Sequence, residues 1–235
     1  MKKILAGSDL KKIFQIARVF RKESFIDELH NIEFELVEFY MRGENYLKLI
    51  ELSMDLLKFL SIVYEKKELT YRGKKAIIGD SYEVISLEEF IKKSKNKSLK
   101  DIREDDFWLF FVEEVEPFIS SIDIPVFIID WPDFSSVMAK EREDKPWLVE
   151  RIELFLAGVE LMNGNTENTD PERQLSKMMK EAKKRDIDYE KHIDRDFVKL
   201  VAKLGLTTGS AIGLDRLFML FQGIEDIHAP YRHLI

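Results

Sequence analysis

Residues 33 to 41, EFELVEFYM, alternate polar and apolar side chains with a period of two, and residues 13 to 21, IFQIARVFR, carry a similar β-branched and aromatic character. That period belongs to a strand, where side chains two apart share a face. Two such strands joined by a charged loop, roughly residues 22 to 32, read as an antiparallel hairpin with a long connection. Phe34, Leu36, Glu38 and Tyr40 then fall on one face, setting an aromatic plate, a carboxylate and a phenol in line. An unpaired buried carboxylate is costly, so this face is either a half-exposed sheet surface or a site. Arg21 and Glu23 end the partner strand, and the loop adds His30 and Asn31.

Residues 44 to 60 change to helical spacing, with Leu47, Ile50, Met54, Leu57 and Leu60 along one side. Ser86-Leu87-Glu88-Glu89 is a capping box opening a short helix through about Lys93. Residues 94 to 98, SKNKS, form a turn, after which DDFWLFFVEEVEPFI resumes a helical pattern. Pro125 to Asp130 is a buried-strand candidate stopped by Trp131-Pro132, and residues 151 to 162 make a β pair turning at Ala157-Gly158. A charged helix follows from about Pro171 to Lys184, proline suiting its first turn. Its basic patch, Lys177 to Arg185, reads as a solvated face. This order predicts an α+β fold: a mostly antiparallel β-sheet flanked by helices, in a single domain over 1–235 with a variable helical insertion about 61–125.

The composition, 45% hydrophobic and 11% aromatic over 235 residues, supports a sizeable core. A net charge of -7 and a pI near 5.3 argue against broad nucleic-acid binding but leave room for a few focused arginines on a phosphate ligand. The absence of cysteine excludes disulfides, thiolate metal sites and a thiol nucleophile. No apolar stretch approaches the roughly 20 residues of a membrane span, and the N-terminal apolar run is too short for a signal peptide. A cytoplasmic location with no membrane partner is the expectation.

Two further segments hold candidate chemistry. If the chain reverses at Ala157-Gly158, Phe155 pairs with Glu160 and Glu153 with Met162, so Glu153 and Glu160 become diagonal neighbours on one face. Two carboxylates that close repel unless a cation lies between them, and Mg²⁺ shared with substrate phosphates suits the gap. Asn163-Gly164 is expected to turn the chain and aim Glu167 into the same cavity. In GSAIGLDR, Gly209 and Gly213 permit close backbone approach. Arg216 could stack on a base or grip phosphate, and Asp215 could fix the backbone or the arginine.

Taken together, these segments resemble the catalytic core of a class II aminoacyl-tRNA synthetase. Phe20 to Glu23 followed by His30 to Phe34 is similar to that class's second signature, and Gly209 to Arg216 with Leu217 to Leu220 is similar to its third. Glu160 to Gly164, Glu167 and Asp170 resemble the lysyl subgroup; Ala211 and Gly158 to Leu161 are closer to the elongation factor P lysine ligases, paralogues that lysylate a protein. The resemblance implies that Arg21 holds the ATP α-phosphate, Glu23 the adenine amino group, and Phe34 and Arg216 the two faces of the ring. His30, with Asn31 beside it in the loop, would meet the outer phosphates. Glu153 and Glu160 would bind Mg²⁺. Glu38, Tyr40 and Glu167 would surround a lysine-like side chain, and Asn163 would orient the amino acid's carboxylate.

Met162 is expected to narrow the amino-acid pocket, and Leu29 and Ile32 to remove one phosphate contact. The chain begins almost at the second signature, so the first signature and an anticodon-reading barrel are expected to be absent, from a truncated product or one that forms its homodimer differently. The implied activity is ATP-dependent formation of an aminoacyl-adenylate from a lysine-like amino acid. Elongation factor P is the expected acceptor, ahead of tRNA; a non-catalytic binding module is the remaining alternative.

Overall fold

The computed structural model describes residues 1–22 and 26–229, with residues 189 and 190 as backbone only. A short helix α1 (Lys2–Ala6) leads into β1 (Lys12–Phe20) and β2 (Glu33–Arg42), which pair antiparallel from Lys12 opposite Met41 to Phe20 opposite Glu33. Helix α2 (Lys48–Val63) follows, then a small hairpin, β3 (Glu68–Tyr71) and β4 (Lys74–Ile77). Next come β5 (Glu83–Ser86) and α3 (Leu87–Lys95), whose N-cap Ser86 Oγ accepts the Glu89 amide at 3.2 Å. Helices α4 (Glu104–Phe110) and α5 (Glu116–Ser120) are joined by one π-helical turn, and β6 (Val126–Ile129) and the short β7 (Trp131–Pro132) and β8 (Leu148–Val149) follow. The last third contains β9 (Arg151–Leu156), β10 (Val159–Thr166), α6 (Pro171–Lys184), α7 (Tyr189–His192), α8 (Arg195–Leu200), β11 (Thr207–Gly213) and α9 (Leu214–Gln222).

Seven strands form the central sheet in the order β1-β2-β11-β10-β9-β6-β5, antiparallel throughout except β5 beside β6. The late strand β11 is inserted between β2 and β10, so the first hairpin and the last strand-to-helix turn meet at the middle of the sheet. The segment expected to be a helical insertion, about 61–125, carries its helices but also the β3–β4 hairpin and the edge strand β5. Its four-residue strands are too short to show a period against their flanks.

One sheet face is closed by α2 and α9, where Val37, Phe39, Met162 and Ile212 pack with Leu49, Met54 and Leu57. Met162, Ile212, Leu49, Met54 and Leu57 are buried, and fully burying a side chain of this kind stabilises by roughly 1.5–3 kcal/mol. Gly164 serves this packing: a Cβ there would stand 2.4 Å from Leu49 Cδ1. The chain does not turn at Asn163-Gly164 as expected, because β10 runs on to Thr166. The two-residue turn at Ala157 and Gly158 does form, with φ of 50° and 76°, a left-handed pair that matches strand twist.

Past that turn, Glu160 lies opposite Phe155 as expected, but the register then slips by a β-bulge between Glu160 and Met162. Glu153 is therefore opposite Asn163, and Met162 opposite Leu154. One extra residue exchanges the faces of everything beyond it. Met162 passes into the core, 1% exposed with Ser53 Oγ 3.0 Å from its sulfur, and Asn163, Asn165 and Glu167 come to the opposite face.

Candidate active site

The opposite face of the sheet carries Phe34, Leu36, Glu38 and Tyr40 from β2, the last three partnered by Gly213, Ala211 and Gly209 of β11. Ala211 and Gly209 are in turn partnered by Asn163 and Asn165 of β10, and these by Glu153 and Arg151 of β9. A cavity of about 1100 Å³ opens over β9–β11, bordered by Arg21, Arg151, Glu153, Glu160, Asn163 and Arg216. A second, of about 180 Å³, adjoins it between Arg21, Asn31, Phe34 and Arg216.

Arg21 follows directly on β1; its amide donates to Ile32 O at 2.9 Å and its guanidinium lies 5.4 Å from the Phe34 ring centre. His30 Nδ1 is 2.7 Å from Asp27 Oδ1, which also accepts the Leu29 amide at 2.8 Å, so one carboxylate shapes the loop. Asn31 turns inward on its neighbour, accepting the Ile32 amide at 2.8 Å, while still bordering the smaller cavity. Glu23 lies outside the described residues.

Arg216, in the first turn of α9, donates from Nε to Leu29 O at 3.1 Å and from Nη1 to Glu160 O at 2.9 Å, with the Glu160 carboxylate at 3.5 Å. It thus ties the loop after β1 to β10 while bordering both cavities. Asp215 accepts the Glu35 amide at 2.7 Å, which fixes backbone across the sheet. Of the two glycines in this stretch only Gly209 is forced by contact: a Cβ there would sit 2.2 Å from Tyr40 Cδ1, whereas at Gly213 it would meet nothing closer than 4.0 Å.

Glu153 is 4% exposed and accepts from Asn163 Nδ2 at 2.7 Å and from Arg151 Nη2. Burial pushes its carboxyl up to about 8; the nearby Arg151 opposes the rise and Glu160 adds to it. Arg151 is itself held 4.5 Å over the Trp131 ring. Farther along the face Tyr40 donates to Glu38 Oε1, Gln15 Nε2 donates to Glu38 Oε2 at 2.9 Å, and Glu167 is 2% exposed. Burial, reinforced by Glu167 and Glu38, raises the Tyr40 phenol well above its usual range, so it remains a hydrogen-bond donor.

The structure therefore brings Arg21, His30, Asn31, Phe34, Glu153, Glu160, Asn163 and Arg216 to two joined cavities, with Glu38, Tyr40 and Glu167 grouped at one end of the same sheet face. It does not bring Met162, which the bulge turns into the core; Ala211 borders both cavities between Glu38 and Asn163. Arg151, Asn165 and Lys74 are additions. Arg151 and Asn165 lie two residues from Glu153 and Asn163, so strand alternation could have found them. Lys74 reaches the larger cavity from the β3–β4 hairpin, donating to Ser120 Oγ at 2.9 Å, and has no such signal. Among the described residues no group of three or more acidic or histidine side chains is placed to hold a metal, and no helix is long and apolar enough to cross a membrane.

The family described as "tRNA synthetases class II (D, K and N)" matches residues 1–230. An "elongation factor P--(R)-beta-lysine ligase homolog" of Aquifex aeolicus is 35% identical over 250 residues, covering 98% of this chain and 76% of that protein. A lysine--tRNA ligase of Neisseria gonorrhoeae is 31% identical over 252 residues, covering 97% of this chain and 50% of that protein. One from Acinetobacter baumannii is 30% identical over 256 residues, with 97% and 49% covered. The chain thus spans about half the length of the tRNA ligases it matches. The sheet order, the two joined cavities and the match over nearly all the sequence lead to one assignment: the chain belongs to the class II tRNA synthetase family of the D, K and N group.

Proposed function

We propose that this protein uses ATP to activate lysine or a lysine-like amino acid as an aminoacyl-adenylate and passes the acyl group to a protein acceptor, elongation factor P. The observation that carries this reading is the sorting of charge along one sheet face. Arg21, Phe34 and Arg216 lie at one end, with Glu160 beside Arg216; Glu153, Asn163 and Glu38 share one cross-strand row through Ala211, and Tyr40 lies beyond that row with Glu167 facing it. A nucleotide fits the first group, its base between Phe34 and Arg216 and its α-phosphate on Arg21. A cationic side chain fits Glu38, Tyr40 and Glu167, which places the amino acid's carboxylate toward the first group.

In the reaction a carboxylate oxygen attacks the α-phosphorus, the bond to the β-phosphate oxygen breaks, and pyrophosphate leaves. Arg21 would stabilise charge growing on the α-phosphate oxygens, the kind of fixed electrostatic help that matters most when it is preorganised. In the second step an acceptor amine attacks the acyl carbon and AMP departs. Glu153 and Glu160 fit Mg²⁺ as hard oxygen donors; burial raises the Glu153 carboxyl, with Glu160 adding to the rise, and a cation there would favour its ionised form. When bound there, the ion would offset phosphate charge; Asn163 and Arg151 hold Glu153 in place for it.

The protein acceptor is supported by the likeness to the Aquifex aeolicus ligase homolog, of which this chain covers 76%, and by the net charge of -7. A second reading, tRNA as acceptor, draws on the 31% identity to a lysine--tRNA ligase. ATP–pyrophosphate exchange across a panel of amino acids tests the activation: lysine-dependent exchange is expected, and none with any amino acid on folded protein would leave a binding module. Labelled lysine recovered on tRNA and not on elongation factor P would reverse the acceptor.

A further inference from the structure

We propose that Lys2, on helix α1, is a positioning residue for the amino-acid subsite, holding Glu167 as an oriented carboxylate and setting the subsite's net charge. This rests on the reading that Glu38, Tyr40 and Glu167 receive a cationic side chain. Lys2 Nζ lies 2.7 Å from Glu167 Oε2, and the pair is nearly sealed, with side-chain exposures of 19% and 2%. The ammonium lies 5.6 Å from the Tyr40 ring centre and 6.0 Å from that of Phe197, so two aromatic faces add to the carboxylate's hold.

The helix that carries Lys2 is itself fixed. Leu5 is fully buried with Tyr40, Phe197, Val201 and Leu204. Arg42 donates to Leu5 O and to Ser8 O, and Lys3 pairs with Asp194 on the outside at 2.5 Å. Lys2 is thus set as part of the wall.

Charge gives the wall its purpose. The charged and titratable groups facing Glu167 are Lys2, Glu38 and Tyr40, with Asn165 as a neutral donor. Burial drives the Glu167 carboxyl toward its protonated form, Lys2 opposes that, and Glu38 adds to the rise. Glu38 is satisfied by neutral donors, Gln15 and Tyr40. With Lys2 present, one of the two carboxylate charges is offset and the subsite keeps one net negative charge, the complement of one ammonium. Without it, Glu167 loses the cation that opposes its protonation.

The test compares lysine binding, by calorimetry, in the wild type and in Lys2→Met, Lys2→Arg and Lys3→Met. Lys2→Met is expected to weaken lysine by about tenfold near pH 7, to recover toward wild type as the pH is raised and Glu167 ionises, and to leave ATP affinity unchanged. Lys2→Arg and Lys3→Met should stay within about twofold of wild type. If Lys2→Met does not fold, Lys2→Gln carries the same expectation. Wild-type or tighter lysine binding by Lys2→Met would overturn the proposal, as would a loss that is the same at every pH and persists in Lys2→Arg. If the wild type binds no lysine, or Glu167→Gln binds it normally, the subsite reading itself has failed.

Discussion

Asn163 of β10 stands directly opposite Glu153 of β9, and its side-chain amide donates to Glu153 Oε1 over 2.7 Å. Arg151 donates to the same oxygen. A carboxylate this buried is held by partners on both sides, and its titration should be visible in the stability of the protein.

With a folded-state value near 8 against an ordinary 4.5, Glu153 keeps its proton in the native state where the unfolded chain has lost it. Its contribution to stability is therefore full below about 4.5 and is lost as pH rises through about 8. In magnesium-free buffer, the melting temperature of the wild type should fall across this window more steeply than that of Glu153→Gln. Parallel curves for the two proteins would mean that Glu153 titrates normally.

Arg21→Ala should lower ATP–pyrophosphate exchange by about a hundredfold or more, as expected when a fixed cation at a reacting phosphate is removed. The melting temperature should change little, because Arg21 lies just past the end of β1 and its backbone bond to Ile32 O survives the substitution. Retained exchange would place the reacting phosphate elsewhere.

Gly209→Ala should destabilise the protein by about 1–3 kcal/mol in urea unfolding, because a Cβ 2.2 Å from Tyr40 Cδ1 forces the ring to move. Since Tyr40 holds Glu38, the KM for lysine should rise as well. Gly213→Ala, with no atom nearer than 4.0 Å, is the comparison that should be mild.

Met162→Ala should cost about 2–5 kcal/mol in stability through an internal void, with the amino-acid profile unchanged, since its sulfur faces Ser53 in the core. Ala211→Gly should do the reverse. Removing one methyl between Glu38 and Asn163 should shift relative kcat/KM among lysine analogues by roughly tenfold, toward bulkier ones.

Much of the framework was legible because its signals are local. The alternation from Glu33 to Met41 and the turn at Ala157-Gly158 each fix a conformation from a few neighbouring side chains. So do the cap at Ser86 and the helix opening at Pro171. The face shared by Phe34, Glu38 and Tyr40 follows from the same period of two. What alternation could not supply was the bulge after Glu160, since an extra residue in one strand is visible only against its partner. That single slip exchanged Met162 for Asn163 on the cavity face.

By itself, then, the sequence determined the α+β order of elements, the signatures around Arg21 and Arg216, and the acidic residues bound for one site. The tertiary structure alone decided that β11 lies between β2 and β10, which register Glu153 adopts, and that Lys2 meets Glu167 across 165 positions of chain. Local propensities are set by neighbours a few residues away, whereas these contacts depend on how separate elements share a sheet and a core.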